Sequence, residues 1–187
     1  VGVVGTFVAA LLIVAVPKFE GGLDETGGST GYRDAAGIPT KCNGDTHNVV
    51  VGKYYTSAEC KESLETQLIA HSEGVLNCTP QLKTHFYQLA AAVSFAYNIG
   101  VPTYCQSTTA KRFRAGDYKG ACKAMNESDT GKPQWVYITV KNPTTGVKYL
   151  KQLPGLVERR KEERTMCETE LVSLAGINLT FRLVASL

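Results

Sequence analysis

The chain has 187 residues, 43% of them hydrophobic and 20% charged, with a formal net charge of +3. That is an ordinary globular composition, long enough to bury a true core. It excludes a disordered chain, and the charge is too weak for a nucleic-acid binder, in which a concentrated basic patch is expected. Six cysteines, Cys42, Cys60, Cys78, Cys105, Cys122 and Cys167, are evenly spread and none forms a Cys-x-x-Cys pair. They read as three disulfides formed in an oxidising compartment, and no metal or cofactor site is expected. The spacing alone leaves fifteen connectivities open.

Residues 1–16, Val-Gly-Val-Val-Gly-Thr-Phe-Val-Ala-Ala-Leu-Leu-Ile-Val-Ala-Val, carry no charge. They fall short of the roughly 20 residues a spanning helix needs. Glycine and alanine further weaken their gain in lipid, so they read as a weak, reversible membrane anchor, or else as an export-signal core or a buried helix. A glycine-dense stretch at 20–53 follows and implies tight turns and short strands. Tyr32 to Asp34 and Ile38 to Cys42 are expected as strands around an Ala-Ala-Gly turn.

Thr56-Ser-Ala-Glu59 is a capping box opening a helix that should run to about Val75. A second helix is expected from Pro80 to Asn98-Ile-Gly100. Its centre, Leu89 to Tyr97, is apolar nearly all round and predicts a buried central helix. Short helices are expected at 107–115 and 117–126, then a β-hairpin over 134–151, with Trp135 in the hairpin core rather than stacking on a ligand. A last helix should run from Pro154 to about Leu171. Its charged run, Glu158 to Arg164, reads as a solvated face, with pairing of Arg159 or Arg160 to an active-site acid as the alternative. Asn98 either caps the central helix or lines a cleft. The expected fold class is α+β: a small β-rich lobe and a mainly helical one. The expected organisation is an anchor segment at 1–16, a main domain at 17–173 and a tail at 174–187.

Carboxylates and hydroxyls cluster in the glycine-rich stretch: Glu20, Asp24, Glu25, Asp34, Thr26, Thr30 and Thr40. Composition alone reads such a set as a solvated loop or as the carboxylates of glycoside hydrolysis, which needs one acid for the leaving oxygen and a second carboxylate for water or sugar. Tyr32-Arg-Asp34-Ala-Ala-Gly37-Ile-Pro-Thr40-Lys-Cys42-Asn-Gly44 resembles the phage-type lysozymes, glycoside hydrolase family 24, whose pattern is Glu-x8-Asp-x5-Thr. The resemblance continues in order through Gly52 to Cys60, Ala92 to Gly100, Gly116 to Cys122 and Leu153 to Arg164. It is strongest to phage endolysins with an N-terminal signal-anchor-release segment.

The resemblance implies a muramidase that hydrolyses the β-1,4 bond between N-acetylmuramic acid and N-acetylglucosamine for host lysis. A glutamic acid would be general acid, and Asp34 and Thr40 would hold the attacking water. It also implies the pairings Cys42–Cys60, Cys78–Cys105 and Cys122–Cys167. Its partners would be peptidoglycan and the inner membrane, with no nucleic acid, and the protein would act as a monomer in the periplasm, initially tethered. Asp45 stands where the family often has His. The acid has two candidates. Glu20 has the local Phe-Glu-Gly motif, but five extra residues separate it from Asp34; Glu25 has the x8 spacing but is followed by Thr26. Glu20 is preferred, because loops accept insertions cheaply while the acid must sit on a rigid element. The runner-up is a non-catalytic wall-binding protein on the same scaffold.

Overall fold

A computed structural model describes residues 22–34 and 37–184, with side chains up to Thr169. Glu20 and the apolar segment 1–16 lie outside the described residues. The chain divides into two compact units, Val1–Glu73 and Gly74–Leu187.

In the first unit, four two-residue strands form two antiparallel pairs. β1 (Ser29–Thr30) pairs with β4 (Tyr54–Tyr55), and β2 (Tyr32–Arg33) pairs with β3 (Pro39–Thr40). Helix α1 (Ser57–Cys78) begins in this unit and continues into the next. The capping box forms as the sequence predicts: the Glu59 carboxylate accepts from the Thr56 backbone N–H at 2.7 Å, and Glu59 N–H donates to Thr56 Oγ1 at 3.2 Å. The small core joins Cys42, Tyr55 and Cys60, with Leu64 and Leu68 buried on α1.

The second unit is helical. A 3-10 turn (Pro80–Thr84) precedes the central helix α2 (Phe86–Ile99). The expected single helix from Pro80 is therefore broken, because His85 leaves helical geometry at φ −117°, ψ 83°. Gln88 to Ala96 are buried without interruption, as the apolar run predicts, and Gly100 at φ +84° stops the helix. Helices α3 (Val101–Gln106), α4 (Thr108–Arg114) and α5 (Tyr118–Lys123) follow. Strands β5 (Tyr137–Lys141) and β6 (Lys148–Gln152) form the expected hairpin. Helix α6 (Pro154–Val184) packs on α2 and extends beyond the expected Leu171.

The three disulfides join Cys42 to Cys60, Cys78 to Cys105 and Cys122 to Cys167, the pairing the resemblance implies. They close segments of 18, 27 and 45 residues. On chain entropy alone each contributes about 3–4 kcal/mol. No described helix is long and apolar enough to cross a membrane.

Candidate active site

Asp34 and Thr40 flank one tight hairpin, and both are fixed on the same residue, Ile38. The Ile38 backbone N–H donates to Asp34 Oδ1 at 2.9 Å, and the Thr40 hydroxyl donates to the Ile38 carbonyl at 2.9 Å. The backbones close the turn: Asp34 N–H donates to Ile38 O at 3.0 Å and Gly37 N–H to Asp34 O at 2.9 Å. Gly37 supplies the φ of +82° this turn requires. Thr40 is buried and Asp34 half-buried. The hydroxyl's proton is thus committed to Ile38, so toward any water near it the oxygen acts as an acceptor.

The segment bearing Thr40 is held to α1 at two points. One is the Cys42–Cys60 disulfide. The other is Asp45, which accepts from Ser63 Oγ at 2.5 Å and from the His47 backbone N–H at 2.8 Å, with Lys41 Nζ at 3.4 Å. Burial raises the Asp45 pKa, but the bonds from Ser63 and His47 and the Lys41 charge outweigh it and hold the carboxyl below 3.8. Where the family often has His, this chain therefore places a structural carboxylate. Asp45→Asn should cost about 2 kcal/mol near neutral pH. A lowered folded pKa gives stability that is full above 3.8 and fades as pH falls through the folded value. The gap between wild type and variant in urea midpoints should then close in acid.

Glu25 is exposed and makes no side-chain hydrogen bond or ion pair among the described residues. It sits in a turn built by its neighbour. The Asp24 carboxylate accepts from Thr26 N–H at 2.8 Å, Thr26 Oγ1 at 2.7 Å and Gly28 N–H at 3.1 Å. The bond from the Thr26 hydroxyl does most to lower the Asp24 pKa. Gly28 admits Tyr54 here: a Cβ at that position would lie 2.6 Å from the ring carbon Cζ and 2.8 Å from the Tyr55 carbonyl.

In the helical unit, the charged run of α6 is not a uniformly solvated face. Arg159 and Arg160 are 2% and 0% exposed and Glu163 is 0% exposed, while Glu158 and Lys161 stay in solvent. Glu163 Oε1 accepts from Ser94 Oγ at 2.8 Å and from Arg159 Nε at 3.0 Å, and its Oε2 lies 3.0 Å from Arg160 Nε. Arg159 also donates to the Ser94 carbonyl at 3.0 Å. Arg160 lies over the Phe95 ring at 4.7 Å and donates to Asn98 Oδ1 at 3.1 Å. Burial pushes the Glu163 pKa up, against the pull of Arg160 and Arg159. Asn98 thus serves as an acceptor for Arg160, and Gly100 ends the helix. Any pairing of these arginines with Glu20 lies outside the described residues. The sequence hinted at this network only through the i,i+4 spacing of Arg159 and Glu163.

Trp135 is not part of the hairpin strands. It precedes β5 in the left-handed region, φ +59°, and meets Phe95 edge-on at 5.5 Å. With Pro102, Thr103, Gln106, Ser107 and Thr108 it lines a groove of about 380 Å³. The packing partner is the central helix, whereas the sequence reading put this ring inside the hairpin.

A family model described as phage lysozyme matches residues 23–163. The SAR-endolysin of bacteriophage PS119 is 32% identical over 139 residues, 73% of this chain and 71% of its own. The solved muramidase domain of SpmX from Asticaccaulis excentricus superimposes with a TM-score of 0.65 at 25% identity, covering 87% of this chain and 95% of that one. The solved endolysin from Escherichia coli O157:H7 phage FAHEc1 gives 0.64 at 28% identity, covering 86% and 92%.

Proposed function

The chain belongs to the phage lysozyme family, and from that premise we propose how its own residues perform the work. It is a muramidase, a glycoside hydrolase acting as a phage endolysin that cleaves peptidoglycan for host lysis. In our reading Asp34 takes a proton from a water held also by Thr40. That water attacks the anomeric carbon of N-acetylmuramic acid, and Glu20 protonates the departing oxygen of N-acetylglucosamine. The outcome is inversion, which needs carboxyls roughly 6.5–9.5 Å apart to admit the water.

The observation carrying this reading is the common fixing of Asp34 and Thr40 on Ile38, which presents a carboxylate and a hydroxyl from one rigid turn. A general acid needs a desolvated setting that keeps it protonated near neutral pH. Glu25 is exposed and lacks one, which favours Glu20 despite the longer loop. Digestion of purified peptidoglycan tests the reaction itself. New reducing ends should all be N-acetylmuramic acid; N-acetylglucosamine ends would contradict it.

Residues 1–16 serve in our reading as a weak tether to the inner membrane, with the enzyme in the periplasm as a monomer. While tethered, Glu20 is kept at the bilayer surface and away from Asp34; release completes the site. Fusing a strong permanent anchor at residue 1 should abolish lysis, and cleaving the fusion should restore it. Full lytic activity of the uncut fusion would contradict this.

A further inference from the structure

The hairpin of β5 and β6 has a chemistry of its own. Residues 130–157 hold four lysines, Lys132, Lys141, Lys148 and Lys151, and no Asp, Glu, Arg or His. With the chain at +3 and this stretch at +4, the remainder sums to −1. None of the four lysines makes an ion pair among the described residues. Lys141 stands directly opposite Lys148 in the register, a like-charge pairing that works against the hairpin when nothing anionic faces it.

Between the lysines stand apolar and aromatic side chains in solvent: Tyr137, Ile138, Val147, Tyr149 and Leu150, the last 69% exposed. Of the ten strand residues, only Val140 is partly covered. Among the described residues neither face is closely packed on the body; the hairpin is held by its ladder, by the Asn142 turn, by the bond from Leu153 N–H to the Val136 carbonyl, and at its root by the buried Val136 and by Trp135 against Phe95. A lone two-stranded hairpin is marginal in water, and one of its faces sets the exposed Tyr137 and Leu150, diagonal neighbours, beside the Lys141–Lys148 pair.

We propose that this hairpin docks on an anionic lipid bilayer. The face that carries Tyr137, Lys141, Lys148 and Leu150 would lie on it, with the two lysines at the headgroups, Tyr137 at the interface and Leu150 in the outer acyl region. That mixture of Lys, Tyr and aliphatic residues without a carboxylate is the chemistry of an interfacial contact. A polyanionic wall would be met by the lysines alone and leaves the exposed Leu150 and Tyr137 beside them unexplained. Edge pairing with a second copy is opposed by the lysines along both strands. The proposal does not depend on the catalytic reading.

Trp135, the chain's single tryptophan, stands two residues before β5 at the root of the hairpin, partly exposed, and its emission reports a bilayer's approach to that root. The full chain is mixed with phosphatidylglycerol vesicles carrying brominated acyl chains, or with phosphatidylcholine vesicles likewise brominated. Trp135 emission should be quenched on the anionic vesicles and spared on the neutral ones. Replacing Lys141, Lys148 and Lys151 by Gln should weaken vesicle binding on the order of a hundredfold. Leu150→Ser should weaken it roughly tenfold or more. Both substitutions fall on exposed side chains, and circular dichroism checks the fold. Vesicle binding and Trp135 quenching that survive both changes would assign the contact to residues 1–16 and overturn the proposal. So would variants that lose binding to purified sacculi while keeping the vesicle response, or a dimer in sedimentation that only the wild type forms.

Discussion

Asp34→Asn should lower kcat on peptidoglycan by on the order of 10²–10⁴ with the melting temperature unchanged. The reason is the division of labour within one side chain. Asparagine keeps an oxygen for the Ile38 N–H, so the turn that Asp34 Oδ1 closes at 2.9 Å stays intact. On the proposed mechanism, what is lost is the basicity needed to take a proton from the attacking water. A purely structural aspartate at this turn gives the opposite pattern: asparagine would retain activity, and alanine would lose stability. Turnover and thermal unfolding measured on the same two variants separate the two. KM should move little, because the missing interaction belongs to the transition state.

Glu163→Ala should destabilise the protein by about 3–5 kcal/mol, the usual cost of leaving a buried charge without its partner. Here one carboxylate stands between two guanidiniums that are 2% and 0% exposed, and it also accepts from Ser94. Removing it strands two cations in the contact between α2 and α6. For a chain of this size the loss corresponds to a drop of about 10 °C in melting temperature. Urea unfolding measures it, and a change under about 1 kcal/mol, the range of an exposed ion pair, would contradict the picture. Replacing the whole network by packed apolar residues need not be destabilising, since buried ion pairs repay their desolvation only partly.

What the sequence reveals is what is local. Thr56 and Glu59 find each other three residues apart, the run from Leu89 to Ala96, apolar but for Ser94, reads as an interior helix, and Gly100 stops it. The β-branched alternation before and after Asn142 is enough for the hairpin. Helix α3 escapes detection because six residues containing Pro102 show no period. The β1–β4 pair escapes because two-residue strands with 23 residues between them leave no pattern. The burial of Arg159, Arg160 and Glu163 escapes for another reason: a charged run shows neither Ser94 nor Asn98, which lie more than sixty positions away and accept or donate the bonds that make burial tolerable. At the site, the spacing of Asp34 and Thr40 is readable, while their shared anchor, the backbone of Ile38, leaves no trace in residue type.

The central claim is that a single glutamic acid, close behind the apolar N-terminal segment, works with Asp34 and Thr40 across the scissile bond. Parallel turnover measurements on Glu20→Gln and Glu25→Gln with purified peptidoglycan test it most directly. The account predicts that Glu20→Gln is inactive with normal unfolding, while Glu25→Gln turns over like the wild type. Wild-type turnover by Glu20→Gln would contradict it.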